Sequence, residues 1–120
     1  MRDDVDAALD CLHPELEFIP LRVGTEGAFR GHEGFRRFRA DTWDHYDVFE
    51  PRYELREVDD RVLSWGVIHV CGKGSGIELD VPSAGIWEFR DGLIVRWQDL
   101  ATKERVLDAA GLGSRRAEFE

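Results

Sequence analysis

The stretch that decides the fold runs from Gly85 to Leu112, GIWEFRDGLIVRWQDLATKERVLDAAGL. Asp91-Gly92 separates two runs of β-forming residues, and glycine tolerates the positive φ that a tight hairpin turn demands. Ile77 to Arg90 and Leu93 to Leu100 therefore read as the two arms of a hairpin. Thr102 stands where it can cap a terminal helix that carries Val106, Leu107 and Ala110. Gly111 supplies a left-handed stop, after which Leu112 folds back onto the helix. Side chains alternate along a strand, so Val95, Trp97 and Asp99 share one face, and Arg96, Gln98 and Leu100 share the other. A carboxylate thus lies beside a tryptophan on one side of the last strand.

Upstream of this hairpin the period-two pattern continues. Arg61 to Cys71 reads as a long strand, joined through a turn at Asp59-Asp60 to a strand from Tyr53 to Val58. Pro82 removes a ladder donor inside Ile77–Arg90, which predicts a bulge, a bend or an edge position. Gly72-Lys73-Gly74-Ser75-Gly76 lacks the spacing of a phosphate-binding loop and is followed by a strand, so it reads as a flexible connection.

The first third of the chain has a different period. Val5, Ala8, Leu9 and Leu12 form one apolar stripe of a short helix, with Asp3 or Asp4 as its cap and His13-Pro14 as its end. Leu16, Phe18 and Ile19 make a short strand, and Arg22 to Arg30 a loop. Gly31-His32-Glu33-Gly34 leads into a second helix, on which Phe35, Phe38, Thr42 and Tyr46 share a face with Trp43 beside it. Arg36, Arg37 and Arg39 fall mostly elsewhere and read as a solvated face.

The resulting order is helix, strand, helix, four strands and a terminal helix, in a single domain over residues 1–120. Sequential strands joined by hairpins predict an antiparallel sheet with the helices on one face, an α+β fold. Such a sheet must curl around its helices to shield its apolar face, leaving a concave mouth suited to a small hydrophobic molecule.

Composition limits the partners. The chain has 120 residues, 42% of them hydrophobic, and a net charge of −9. This acidity argues against nucleic acid, whose phosphates need a basic face, and against an anionic membrane surface. No apolar run approaches membrane-spanning length, and MRDDVDAALD lacks the basic and apolar regions of a signal peptide, so a cytoplasmic location is expected. The two cysteines, Cys11 and Cys71, have no CxxC spacing or nearby histidine pattern. No metal site and no cofactor are expected from them, and two reduced thiols are the simpler reading.

Four pieces of sequence, in this order, carry a family resemblance. His13-Pro14-Glu15-Leu16-Glu17-Phe18 is similar to a helix-to-strand junction, and Phe29-Arg30-Gly31-His32-Glu33-Gly34 to a turn into a long helix. Asp91-Gly92-Leu93-Ile94-Val95-Arg96-Trp97 is similar to a closing hairpin, and Ala109-Ala110-Gly111-Leu112 to a terminal segment. Together they resemble the SnoaL-like branch of the NTF2-like superfamily, the cystatin-like α+β cones with an internal pocket. Members usually carry a further helix ahead of the one read at Asp4 to Leu12, and the chain as given lacks it.

The resemblance implies that Val95, Trp97 and Asp99 face the pocket. Trp97-Gln98-Asp99 resembles the WRD motif of limonene epoxide hydrolases, whose aspartate is catalytic, and SnoaL polyketide cyclases use a pocket aspartate as base. Asp99 is therefore the candidate general base or acid. Desolvation by Trp87, Trp97 and aliphatic neighbours would raise its pKa toward neutrality, where a base works efficiently. The competing reading places Asp99 at the pocket rim or at the start of the terminal helix. The epoxide hydrolase pattern also needs an Arg-x-Asp pair where Gly66-Val67-Ile68 stands, and Tyr and Asn where Leu16 and Phe18 stand. An isomerisation or aldol-type cyclisation at an acidic C–H, with Asp99 acting alone, fits these residues better.

Other ligand-binding candidates are Trp97, Trp87, Ser83, Val81, Ile68, Val95, Phe18, Phe38 and Tyr46. Arg22 reads as a solvated loop residue and His32 as a cap or surface contact. Leu63, Trp65, Val67 and His69 should lie on the outer sheet face with Cys71, and the resemblance implies a homodimer through that face. Three functions compete: a cofactor-independent isomerase, cyclase or lyase using Asp99; a non-catalytic small-molecule-binding domain of the same fold; and, ranked last, a protein-interaction scaffold.

Overall fold

Asp91 and Gly92 adopt φ of 56° and 78°, the paired positive values of a two-residue hairpin turn. The computed structural model describes residues 4–20, 29–41 and 45–119 of the chain. Its elements are α1 (Asp4–Leu9), β1 (Leu12–Ile19), β2 (Phe29–Arg30), α2 (Gly31–Asp41), β3 (Tyr46–Val58), β4 (Arg61–Gly72), β5 (Glu78–Arg90), β6 (Leu93–Asp99) and α3 (Lys103–Ala109). A 3₁₀ segment, Gly113–Phe119, kinked at Arg115, closes the chain. The strands form one six-stranded sheet in the order β2-β1-β6-β5-β4-β3. It is a curved, unclosed α+β arrangement, as the sequence predicts.

Several details differ from the sequence reading. First, the sheet is mixed. β3 to β6 form an antiparallel meander, but β1 pairs with β6 in parallel, Phe18 facing Trp97 and Ile19 facing Gln98. β1 and β6 are separated by most of the chain, so no hairpin constrains their relative direction. Second, α1 stops at Leu9, and His13-Pro14 lies inside β1. The β1–β6 register shifts between Leu12 and Glu17, and Pro14 sits in that irregular stretch, where no regular ladder bond is forfeited. Third, α2 ends at Asp41 and Tyr46 opens β3 instead of continuing the helix. Thr42, Trp43 and Arg22 lie outside the described residues.

Pro82 shows why a proline is tolerated within a long strand. It pairs with Val67 of β4. β5 meets β6 only as far as the Gly85↔Asp99 pair. Pro82 therefore lies where β5 has a neighbour on one side only, the edge solution among the three predicted.

The helices occupy both faces of the sheet, contrary to the expectation of one. α2 packs on β1 and β2, while α3 packs on β4 and β5. Alternation along β4 puts Leu63 and Trp65 on one face and Ser64, Gly66 and Ile68 on the other. Leu63 and Trp65 form a core with Ala84, Ile86, Leu100, Val106, Leu107, Leu112 and Phe119. A second core, Leu9, Leu12, Leu16 and Phe35, lies at the opposite end of the sheet.

This arrangement corrects the proposed dimer face. Leu63 is 0% exposed and Trp65 8%, because α3 and the closing segment of the same chain cover them. Phe119 meets the Trp65 ring edge-on with centroids 6.2 Å apart, and the Lys103 ammonium lies 4.9 Å from the ring centroid. Of the four residues read as a dimer surface, Val67 and His69 alone remain partly accessible.

α3 forms as its caps dictate. Thr102 accepts the Arg105 N–H through its hydroxyl at 3.2 Å. Gly111, at φ 79°, turns the chain, and Leu112 donates its N–H to the Leu107 carbonyl at 2.8 Å. No helix among the described residues is long and apolar enough to cross a membrane.

Candidate functional site

Four aromatic residues align across four strands on the face opposite α3. Trp87 of β5 pairs with Trp97 of β6, Trp97 with Phe18 of β1, and Phe18 with Phe29 of β2. Their rings stack in the same order, with centroids 4.5, 4.2 and 6.1 Å apart. Phe38 of α2 closes edge-on over Phe18 at 4.4 Å. Because each inner ring is sandwiched between neighbours, the ladder offers ring edges, not faces, to anything on its open side.

That open side is the wall of a cavity of about 370 Å³, within the range of small-molecule sites. Trp97, Trp87, Ser83, Val81, Ile68, Phe18, Phe38 and Tyr46 all line it, as does Asp99. Val95 does not. The β5–β6 register shifts after Glu88↔Arg96 so that Phe89 pairs with Ile94, and Ile94 lines the cavity in its place. Simple alternation from Trp97 cannot anticipate that slip, because a register shift moves side chains to the other face.

Polar groups on the cavity wall are few. Asp99 is half-buried, and its pKa is raised chiefly by burial, partly countered by hydrogen bonds from the backbone of Ala101 and Leu100. The Ala101 N–H donates to Asp99 Oδ1 at 3.2 Å. Tyr53 and Ser83 share a hydrogen bond of 3.0 Å between their hydroxyls. Burial raises the Tyr53 pKa first; the Ser83 bond lowers it, and the Asp99 charge adds to the rise. Tyr53 therefore stays a protonated donor.

Two glycines make this wall possible. Tyr53, Gly66 and Ser83 are consecutive cross-strand partners, so the Tyr53 hydroxyl reaches Ser83 across a position without a side chain. A Cβ on Gly66 would stand 2.1 Å from the Arg52 carbonyl oxygen. Gly85 lies between Ser64 and Asp99 in the same way, and a Cβ there would meet the Gln98 carbonyl at 2.8 Å and Trp97 Nε1 at 3.2 Å. Trp87 is oriented from behind by donating its Nε1–H to Ser64 Oγ at 2.8 Å.

Residues 1–97 match the family model of the SnoaL-like domain. The chain belongs to the SnoaL-like domain family. A search of curated proteins finds no match. Among solved structures it is similar to an NTF2-like protein of unknown function from Burkholderia pseudomallei, with TM-score 0.68 and 19% identity over 88% of this chain and 83% of that one. It is similar to TerC co-crystallized with polyporic acid, with TM-score 0.65 and 24% identity over 92% and 85% of the two chains. A protein of Jannaschia sp. CCS1 assigned as a SnoaL-like polyketide cyclase gives TM-score 0.66 and 19% identity over 79% and 69%. At these identities the likeness shows the fold, the NTF2-like cone.

The remaining polar candidates of this SnoaL-like domain lie away from its cavity. His32 Nε2 is 2.8 Å from the Leu12 carbonyl oxygen and ties α2 to β1. His69 is on the outer face, its Nδ1 2.8 Å from Asp80 and its Nε2 3.0 Å from Glu78. Those hydrogen bonds, Asp80 first, raise its pKa. Among the described residues no cluster of His, Cys, Asp and Glu is arranged to hold a metal ion.

Sequence reasoning missed Tyr53, Phe49 and Pro51, which line the cavity from β3. The signal for Tyr53 was present. Counting back from Asp59-Asp60 pairs Val58 with Arg61 and hence Tyr53 with Gly66, and alternation puts Phe49 and Pro51 on the same side. A strand begun at Tyr53 instead of Tyr46 leaves the other two out.

Proposed function

We propose that this SnoaL-like domain binds a small hydrophobic molecule in its cone and acts on it as a cofactor-independent acid–base isomerase or cyclase, with Asp99 as the general base. One observation carries the reading: Asp99 is the carboxylate among the described residues lining an otherwise largely apolar cavity, with its pKa raised by burial. Raising a carboxylate's pKa strengthens it as a base, and the carboxylate is ionised at pH above that raised value. Ring edges of Trp87, Trp97 and Phe18 form an apolar bed for the ligand beside it. The likeness in fold to a protein assigned as a polyketide cyclase and to TerC co-crystallized with polyporic acid supports a ligand-holding cone.

A second reading is a binding domain without chemistry. Its support is the Asp99–Ala101 hydrogen bond, which gives the carboxylate a structural task at the β6–α3 turn. The Asp99→Asn variant separates the two, since the amide oxygen retains that bond but cannot take a proton. Turnover falling by at least about a hundredfold with ligand affinity retained supports the enzyme. Unchanged turnover excludes Asp99 as its base.

A further inference from the structure

β3 is the last strand of the sheet, so one side of its backbone has no neighbouring strand among the described residues. Which residues offer that side follows from the ladders. Arg61 closes its two-residue turn onto Val58, whereas Gly72, of opposite parity on β4, donates its N–H on the β5 side, to the Ile77 carbonyl. Hydrogen bonding alternates along an antiparallel strand, so Arg52, Glu54 and Arg56 spend their backbone groups on β4. Pro51, Tyr53 and Leu55 turn theirs to the open side. Pro51 has no N–H to leave unpaired there, as suits a proline at a sheet edge. Leu55 is 59% exposed, and Glu50, Pro51, Arg52 and Glu54 are exposed with it.

The outer-face side chains along this edge alternate in sign: Glu50, Arg52, Glu54, Arg56. Glu50 pairs with Arg52 along the strand at 2.9 Å, and Glu54 pairs with Arg56. Such a row is complementary to its own antiparallel copy. With the two-fold axis at Tyr53, Arg52 lies opposite the partner's Glu54 and Glu50 opposite the partner's Arg56, and symmetry repeats both pairs. Other registers fail. An axis at Arg52 or Glu54 sets like charges opposite each other, which destabilises. An axis at Pro51 or Leu55 opposes only half of the row, and an axis between residues puts unlike faces together. On the inner face the Tyr53 register seats the partner's Leu55 beside Pro51, which lines the cavity. Leu55 still donates to the partner's Pro51 carbonyl, and only the bond that a proline cannot donate is forfeited.

We propose that the free edge of β3 docks a second copy of this chain, joining the two sheets antiparallel about Tyr53 so that each copy's Leu55 completes the rim of the other's cavity. The occupant is a second copy because the edge is complementary to itself in charge, in hydrogen-bond parity and in register. The contact is made by the edge of the sheet and leaves aside the outer face, where Leu63 and Trp65 are covered within the chain. It does not depend on the role of Asp99.

The test is sedimentation velocity on the full chain over a range of concentrations. Arg52→Glu sets a carboxylate opposite the partner's Glu54 and is expected to raise the dimer dissociation constant at least about tenfold. Glu54→Arg should do the same. An equimolar mixture of the two variants should regain the dimer, because every opposed pair is again of unlike sign. Near-ultraviolet circular dichroism identifies a misfolded variant, which mixing would not rescue. Crosslinking reads the register. In a Cys11→Ser/Cys71→Ser background that removes the native thiols, Tyr53→Cys lies on the two-fold axis and should oxidise to a disulfide-linked dimer. Leu55→Cys is more exposed but about 14 Å from its counterpart, and should crosslink at least about tenfold more slowly. A wild type monomeric up to about 1 mM overturns the proposal and makes Pro51 and the charged row a barrier to pairing. Unchanged association in Arg52→Glu, no recovery on mixing, or faster crosslinking at Leu55→Cys overturns it as well.

Discussion

Ala101 donates its backbone N–H to the Asp99 carboxylate at 3.2 Å from a φ of 70°, a conformation that non-glycine residues seldom adopt. The turn that carries the chain from β6 to α3 therefore holds the candidate base in place at the expense of local backbone strain. Thr102 follows immediately and caps α3. Site and fold meet in four consecutive residues, Asp99 to Thr102.

Relieving the strain should stabilise the protein. Ala101→Gly removes a left-handed penalty of about 1 kcal/mol, offset in part by the greater freedom of glycine in the unfolded chain. A net gain of about 0.5 kcal/mol is expected, seen as a Tm rise of about 2 °C by calorimetry. A lower Tm would mean that the turn does not store strain.

Asp99 also couples stability to pH. Its folded pKa is raised above the ordinary 3.8, so the folded state holds the proton more tightly than the unfolded state. Its unfavourable contribution grows as pH rises from 3.8 through the raised folded value and is absent below both. Asp99→Asn should thus be more resistant to urea than the wild type at pH 7, and the advantage should vanish in acid. A variant less stable at pH 7 would show that the charged form is favoured in the fold.

His69 predicts the opposite slope. Hydrogen bonds to Asp80 and Glu78 raise its pKa above 6.5, so its stabilising contribution is full below 6.5 and is lost as pH rises through the folded value. Urea midpoints of the wild type and His69→Gln should differ most near pH 6 and converge in mild alkali. A difference independent of pH would leave packing, not charge, as the role of this side chain.

Phe119 tests whether the closing segment holds the outer face of the sheet. Its ring is 6% exposed against Trp65. Phe119→Ala should cost about 3 kcal/mol in urea unfolding and shift the Trp65 emission to longer wavelength. A loss below about 1 kcal/mol would mean the segment is dispensable to that core.

Much of the fold was legible in the residues. Asp91-Gly92 set the closing hairpin, Thr102 and Gly111 bounded α3, and alternation put Trp97 and Asp99 on one face. These are short-range effects, in which a turn dihedral or a cap is decided by neighbours a few residues away. The parallel docking of β1 on β6 was not legible, since the pairing of residues some eighty positions apart is chosen by which apolar faces can be buried together.

The same division runs through the site. Strand period put Trp97 with Asp99 on one face and Ser83 with Trp87 on another, the family resemblance implied that the first of these faces the pocket, and the structure brings all four to one cavity. Val95 was misplaced because a register shift between β5 and β6 breaks the period, and Ile94 takes the position instead. Leu63 and Trp65 were read as a surface awaiting a second copy, because a strand's sequence shows that a face is apolar but not what covers it.

The sequence by itself thus determined the local elements, the turns and the character of each strand face, because backbone dihedrals and side-chain alternation act within a few residues. Only the tertiary structure decided that α3 and Phe119 cover Trp65, that Tyr53 meets Ser83 across Gly66, and that four aromatic rings stack from β5 to β2. Those contacts join strands distant in the chain, and their register is fixed by packing the whole sheet against its helices, which no single segment encodes.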